Sequence, residues 1–164
     1  MEYEALIRQR QSCREYSGAP VTREALAKIV AAGCIAPSAC NMQPWHLYVA
    51  QGEALKDFLT ALNPKFSGIG AAVLVCEVPK PLPFSPENPY RQMDIGLCVM
   101  QMALAAENEG LASCIVGSFN KDRLGELFTL VKGEIPRLVL VLGTAADATL
   151  RPKERLTEGT VSWL

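Results

Sequence analysis

The sequence predicts an α+β domain, a central mixed β-sheet flanked by helices with one long helix at its centre. Three observations predict it. Helix-like and strand-like stretches follow one another in the order α-α-β-α-β-α-β-α-β. The run AAVLVCEV, residues 71–78, is apolar almost without interruption between Gly70 and Pro79, as a strand buried on both faces requires. The stretch YRQMDIGLCVMQMALAAENE, residues 90–109, is apolar nearly all round, so it belongs at the centre of the molecule or of a dimer.

Each element has a local reason. Residues 2–9 read as a short helix with Tyr3, Leu6 and Ile7 on one side. RQRQSCREYSGAP breaks that pattern, and Pro20 followed by Thr22 opens a second helix. Thr22 is its N-cap, and Glu24 sits in the first turn, where the helix dipole favours a carboxylate. Leu26, Ile29 and Val30 form the apolar stripe. Pro37 ends this helix, because the residue before a proline is pushed out of helical geometry. Residues 45–50 are a short strand and 53–62 a modest helix. PKPLPFSPENPY, residues 79–90, has five prolines in twelve residues and reads as an irregular surface loop. Gly110 terminates the long helix, and LASCIVGSF is a strand that stops at Gly117. A helix near residues 121–130, capped by Asn120, leads to the last strand at 137–143.

The 164 residues, 49% hydrophobic and 20% charged, suffice for a single folded domain over 1–164. A net charge of −1 argues against nucleic acid as a general partner. The polar, charged start and the lack of a long apolar run predict neither a secretory signal nor a membrane span. Cys13, Cys34, Cys40, Cys76, Cys98 and Cys114 form no C-x-x-C pair, and His46 is the only histidine, so no metal site is expected. Scattered thiols point to a reducing cytoplasm, most of them as buried small hydrophobes, and His46 is expected to pack.

Arg10, Ser12 and Arg14 alternate, so an extended backbone turns all three to one side. Two guanidiniums flanking a hydroxyl make a fork for an anion, and Lys153 and Arg155 repeat the device far along the chain. Either pair alone could equally be a solvated charged loop. In the loop after the second helix, Ser38 and Asn41 offer a hydroxyl and an amide. The plainer reading there is a helix stop with an Asn turn and a packing Trp45. Gly117, after Val116 at a strand end, permits a flat ligand to approach the backbone, or is only a turn. No Walker loop, G-x-G-x-x-G, nucleophile elbow or H-E-x-x-H is present.

Together, RQSCREY, APSACNMQPWHLYV, DIGLCVMQMALAAENEGLASCIVGSF and RPKERL, in that order, resemble the signatures of the FMN-dependent nitroreductase family. Those are R-x-S-x-R-x-[FY], A-P-S-x-x-N-x-Q-P-W, a D-x-G helix ending in G-L-x-[ST], and a late K-x-R. The resemblance covers nearly the whole of a short-form chain. It implies the three-layer nitroreductase fold and a homodimer with the long helix at the interface and two FMN sites there. Arg10, Ser12 and Arg14 would hold the FMN phosphate and ribityl chain, with Lys153 and Arg155 closing round the phosphate. Pro37, Ser38 and Asn41 would reach the same flavin from the neighbouring subunit, and Val116 and Gly117 would lie beside the isoalloxazine near N5. The implied activity is ping-pong: hydride from NADH or NADPH to FMN, then to a small-molecule acceptor such as a nitroaromatic or quinone, with no catalytic side chain. Two other readings stand beside it. One is an FMN protein reduced by ferredoxin or storing flavin; the other is a non-flavin dimeric module that binds a phosphorylated metabolite.

Overall fold

A computed structural model describes residues 2–63, 66–152 and 159–162. Its helices are α1 (Tyr3–Gln9), α2 (Arg23–Cys34), α3 (Glu53–Leu59), α4 (Arg91–Asn108) and α5 (Lys121–Phe128). Its strands are β1 (Trp45–Ala50), β2 (Ala71–Glu77), β3 (Ala112–Val116) and β4 (Ile135–Gly143).

The boundaries follow from side chains. Thr22 is extended, and its hydroxyl accepts the Ala25 N–H at 3.2 Å; Asn120 does the same for Arg123 N–H at 3.0 Å. Gly110, at φ +75°, closes α4 in a Schellman motif: Leu111 N–H reaches Ala106 O at 2.8 Å and Gly110 N–H reaches Glu107 O at 3.0 Å. The helix expected over 53–62 stops three residues early. There the Thr60 hydroxyl donates to Asp57 O at 2.6 Å, and Leu62 leaves to bridge Phe119.

The strand order is β1-β2-β4-β3, and every pairing is antiparallel. That corrects the expectation of a mixed sheet. The α4 crossover does make β2 and β3 co-directional, but β4 lies between them and runs against both. Among the described residues, parallel contact is confined to the isolated bridges Ser12↔Ser113 and Glu15↔Ser67.

The sheet is covered on both faces, giving three layers. Leu74, Cys76, Val139 and Val141 face Phe58 of α3 and Leu124 of α5. Val73, Val75, Leu140 and Leu142 face Ile29 of α2 and Ile95, Val99 and Met102 of α4. The two helices of that second layer meet at Gly33, where a Cβ would lie 2.5 Å from Met102 Cγ, so only glycine permits this approach. α4 is central on one side only. Its outer side leaves Met93 60%, Leu97 46% and Met100 38% exposed.

Candidate functional site

After α1 the chain runs extended along β3. Ser12 bridges Ser113, and Cys13 N–H donates to Ser113 O at 2.9 Å. Tyr16 fixes the far end: it is 5% exposed, and its hydroxyl donates to Cys13 O at 2.8 Å. Burial, with the Cys13 and Cys114 thiols beside it, pushes the phenol well above its ordinary range, so it serves as a neutral anchor.

Between these anchors Arg14 stands exposed. It lines a cleft of about 130 Å³ together with Asn63, Phe66, Val116, Gly117 and Ser118. At Gly117 the nearest side-chain atom to a would-be Cβ is Leu138 Cδ2 at 3.9 Å, so the backbone is open to a ligand there. The structure thus brings Arg14, Val116 and Gly117 onto one surface. Arg10 ends α1, half-buried, with its N–H on Leu6 O, and Ser12 sits between the two arginines.

The far end of the chain is stitched to the same segment. Arg151 donates its backbone N–H and its Nε to Gln11 Oε1 at 3.1 and 3.3 Å, and Nη2 to Ser12 O. Gln11 Nε2 returns a bond to Thr149 O at 3.0 Å. A third cation, Arg151, therefore lies against Ser12, and sequence reading missed it. Its signal was present: it continues the alternation of Lys153 and Arg155 by one step. Lys153 and Arg155 themselves lie outside the described residues. A larger cavity, about 670 Å³, opens between Gln11, Ser12, Arg14, Glu107, Thr149 and Arg151, with charges of both signs on its wall.

The loop from α2 to β1 is a separate construction. Cys40, Asn41 and Gln43 hold φ of +50°, +54° and +47°, three strained non-glycine residues within four positions. Each such residue costs on the order of 1–3 kcal/mol and persists only where its surroundings impose it. Here Ser38 Oγ accepts Gln43 N–H at 2.9 Å, and Gln43 Nε2 donates to Asn41 Oδ1 at 3.0 Å. The buried carboxylate of Asp94 on α4 accepts Ala39 N–H at 3.2 and 3.3 Å. The Ser38 O–H and the Asn41 amide N–H groups remain donors for something else. Pro37, Ser38 and Asn41 line neither of the cavities that Arg14 lines.

Two expectations change. Cys76, Cys98 and Cys114 are buried, but Cys34 and Cys40 are exposed and Cys13 is intermediate, so burial accounts for half of the thiols. Burial pushes Cys76 and Cys98 up to about 12, which leaves both as inert thiols. His46 packs its ring on Tyr48, centroids 4.3 Å apart, and does more than pack. Its side chain is 46% exposed, and Nδ1 sits 2.6 Å from Oε1 of the buried Glu134, whose Oε2 takes the Tyr48 hydroxyl at 2.6 Å. Among the described residues no His, Cys, Asp and Glu group could hold a metal, and no helix is long and apolar enough to cross a membrane.

A phosphorylated flat cofactor such as FMN needs cations for its phosphate and an open backbone edge for its ring. Arg14 lines both cavities, with Ser12 and Arg151 on the larger and Gly117 on the smaller, a donor set of that kind; Arg10, at the end of α1, lines neither. Ser113 Oγ, buried at the bridge to Ser12, has no hydrogen-bond partner among the described residues, but Ser113 lines neither cavity.

Three layers around an antiparallel sheet, with a cationic strand beside the β3 edge, define the chain as a nitroreductase-fold protein. The family model described as Nitroreductase family matches residues 7–75 and 73–144, and the chain belongs to that family. A protein of Archaeoglobus fulgidus named "Putative NADH dehydrogenase/NAD(P)H nitroreductase" is 32% identical over 149 residues, 87% of this chain and 84% of that one. A nitroreductase family protein of Clostridium difficile 630 superposes with a TM-score of 0.82 at 30% identity, covering 100% of this chain and 95% of the other. A structure from Exiguobacterium sibiricum 255-15, solved in complex with FMN, shares the fold at a TM-score of 0.85, with 23% identity and coverage of 100% and 98%.

Proposed function

We propose that the chain is one domain, residues 1–164, that works as an FMN-dependent NAD(P)H oxidoreductase on a nitroaromatic, quinone or similar acceptor, and does so as a homodimer. The observation that carries the reading is the single cleft lined by Arg14 and by Val116–Gly117, with Arg151 tying the other end of the chain to Ser12. Family membership, a relative named for NAD(P)H, and a fold neighbour solved with FMN support it.

Bound FMN would supply the redox chemistry, taking hydride at N5 and later delivering it to the acceptor. The residues do the rest. Arg10, Ser12 and Arg14 hold the phosphate end, with Arg151, Lys153 and Arg155 closing over it. Asn63 and Ser118 offer polar groups along the cleft, and Gly117 leaves the ring edge unobstructed. Pro37, Ser38 and Asn41 belong to the second subunit's flavin. Fixed donors of this type cost no reorganisation when negative charge develops on the ring. Met93, Leu97 and Met100, at i, i+4 and i+7 on α4, supply an apolar stripe for the second subunit. Six free thiols with no pairing among them fit a reducing, cytoplasmic setting.

The test is anaerobic stopped-flow on the purified protein. Yellow protein whose flavin bleaches with NADH or NADPH and recolours with a nitroaromatic or quinone is the expected result. Bleaching by reduced ferredoxin alone would reassign the donor. Colourless protein that ignores added FMN would leave the phosphometabolite-binding module.

A further inference from the structure

Glu77 ends β2 with its side chain 4% exposed, and it carries two arginines. Arg91 Nε donates to Oε1 at 2.7 Å and Arg137 Nε donates to Oε2 at 2.6 Å. Neutralising one buried carboxylate takes one cation, so this cluster keeps a surplus positive charge. The surroundings act on that surplus in both directions. Arg91 is the first residue of the 18-residue α4, where the helix dipole already disfavours a cation. Lys80 is close by in sequence to Glu77 and spends its ammonium on Gln43 O at 3.1 Å rather than on a carboxylate. Asp94, the acid in the first turn of α4, bonds Ala39 N–H, a neutral donor that takes none of its charge, so of the nearby acids it is the one that offsets Arg91.

The backbone is shaped to make this pair. Pairing of β2 with β4 passes from Val75↔Leu138 to Cys76↔Pro136, so Arg137 is the extra residue of a bulge and has no opposite number. Bulges re-aim side chains, and this one accompanies an arginine that meets Glu77. With both Nε atoms committed to Glu77, each guanidinium plane is set. Among the described residues neither guanidinium makes a further hydrogen bond, and the two side chains are 27% and 26% exposed. Preset planes with spare Nη donors suit an oxyanion.

The position is informative too. Arg91 lies one turn before Asp94, which holds the strained 38–43 loop. Arg137 precedes Leu138, the residue whose side chain comes nearest Gly117. Arg137 thus neighbours the stretch assigned to this chain's own flavin, and Arg91 the turn that holds the loop assigned to the second subunit's.

We propose that Arg91 and Arg137, preset by Glu77, form an anion subsite that recognises the oxyanion group of the flavin's redox substrate. The group is either a phosphate of the nicotinamide donor or a carboxylate on the acceptor. The proposal rests on the flavin reading.

The variants are R91Q and R137Q, each leaving Glu77 one arginine, with R137K to keep charge but lose the planar fork. In flavin-loaded protein, half-saturating concentrations are measured for NADPH and NADH in the reductive half-reaction, and for 4-nitrobenzoate and nitrobenzene in the oxidative one. The subsite predicts a rise of about tenfold or more for an anionic substrate, the cost of lost charge-assisted bonds. A rise for the dinucleotides assigns the donor's phosphates; a rise in the ratio of 4-nitrobenzoate to nitrobenzene assigns an acceptor carboxylate. R137K should fall between wild type and R137Q. If loaded variants lose only thermal stability, with both readouts unmoved, the cluster is a structural bridge and the subsite is wrong. Wild-type protein that takes up no flavin removes the parent reading, and the subsite falls with it.

Discussion

Arg14 is exposed on the cleft that Val116 and Gly117 share, and among the described residues no carboxylate pairs with it, which suits it to meet a phosphate. Arg14→Ala should weaken FMN binding by about 1.5–3 kcal/mol, the range of a charge-assisted hydrogen bond, in a fluorescence titration at fixed ionic strength. Unchanged affinity would put the phosphate elsewhere. Glu134 makes a different kind of prediction. Burial alone would raise its pKa, yet hydrogen bonds from Tyr48 and His46, the charge of His46 and the Val131 N–H outweigh it and hold the carboxyl below its ordinary value. The phenol of Tyr48 moves the other way, pushed up to about 12 by burial and by that same carboxylate. A depressed folded-state pKa means the carboxylate's contribution to stability is complete above the unfolded-state value and is lost as pH falls through the folded one. Urea midpoints should therefore drop on acidification through the carboxylate range, and Glu134→Gln should flatten that drop. An equally steep profile in the variant would assign the acid sensitivity to Glu77, which Arg91 and Arg137 hold low against its own burial.

The loop between α2 and β1 is where local preference and structure disagree most, with Cys40 and Gln43 in left-handed geometry that neither favours, beside Asn41, which tolerates it. What imposes it is Asp94, one α4 turn after Arg91, through the Ala39 N–H. Asp94→Ala leaves that N–H unpaired in a half-buried place, so stability should fall by about 1–3 kcal/mol in chemical denaturation. Bound flavin should wash out faster on gel filtration. A stability loss with flavin retention intact would make the loop a structural device alone. Elements whose cause is local were legible: the caps at Thr22 and Asn120, the glycine stop at Gly110, and the apolar run of β2 all appear where the sequence places them. Arg14 and Gly117 could be singled out for the same reason, and the structure puts both on one cleft, while Arg10 lines neither described cavity. Strand direction was not legible, because it depends on β4, the last strand in the chain, lying between β2 and β3. Nor was the Glu77 cluster, whose partners lie 14 and 60 residues away and bear no periodic relation to it.

At the scale of the molecule, the cleft beside Gly117 is too small to be a whole cofactor site. Its 130 Å³ falls short of the roughly 300–1,000 Å³ of pockets that enclose a ligand of drug or cofactor size, a range that the neighbouring 670 Å³ cavity sharing Arg14 does reach. The strained loop on the α4 side has donors to spare and lines no cavity with Arg14 in its own chain. In the proposed homodimer, two half-sites of this kind would be completed together by a second copy packed against α4. The stripe of Met93, Leu97 and Met100 lies on a helix about 27 Å long at 1.5 Å per residue, enough to run the length of such a contact. If flavin binds across the contact, association and flavin affinity are linked by mass action, and each must strengthen the other. Leu97→Glu places a charge in the middle of the stripe without disturbing the buried side of α4, so the folded chain should persist by circular dichroism. Light scattering should give the monomer mass, and FMN should dissociate. Adding excess FMN should then pull part of the variant back into dimers, whereas wild type should shed flavin on dilution. A Leu97→Glu protein that stays dimeric and yellow would mean that the second subunit binds elsewhere, and the loop with it.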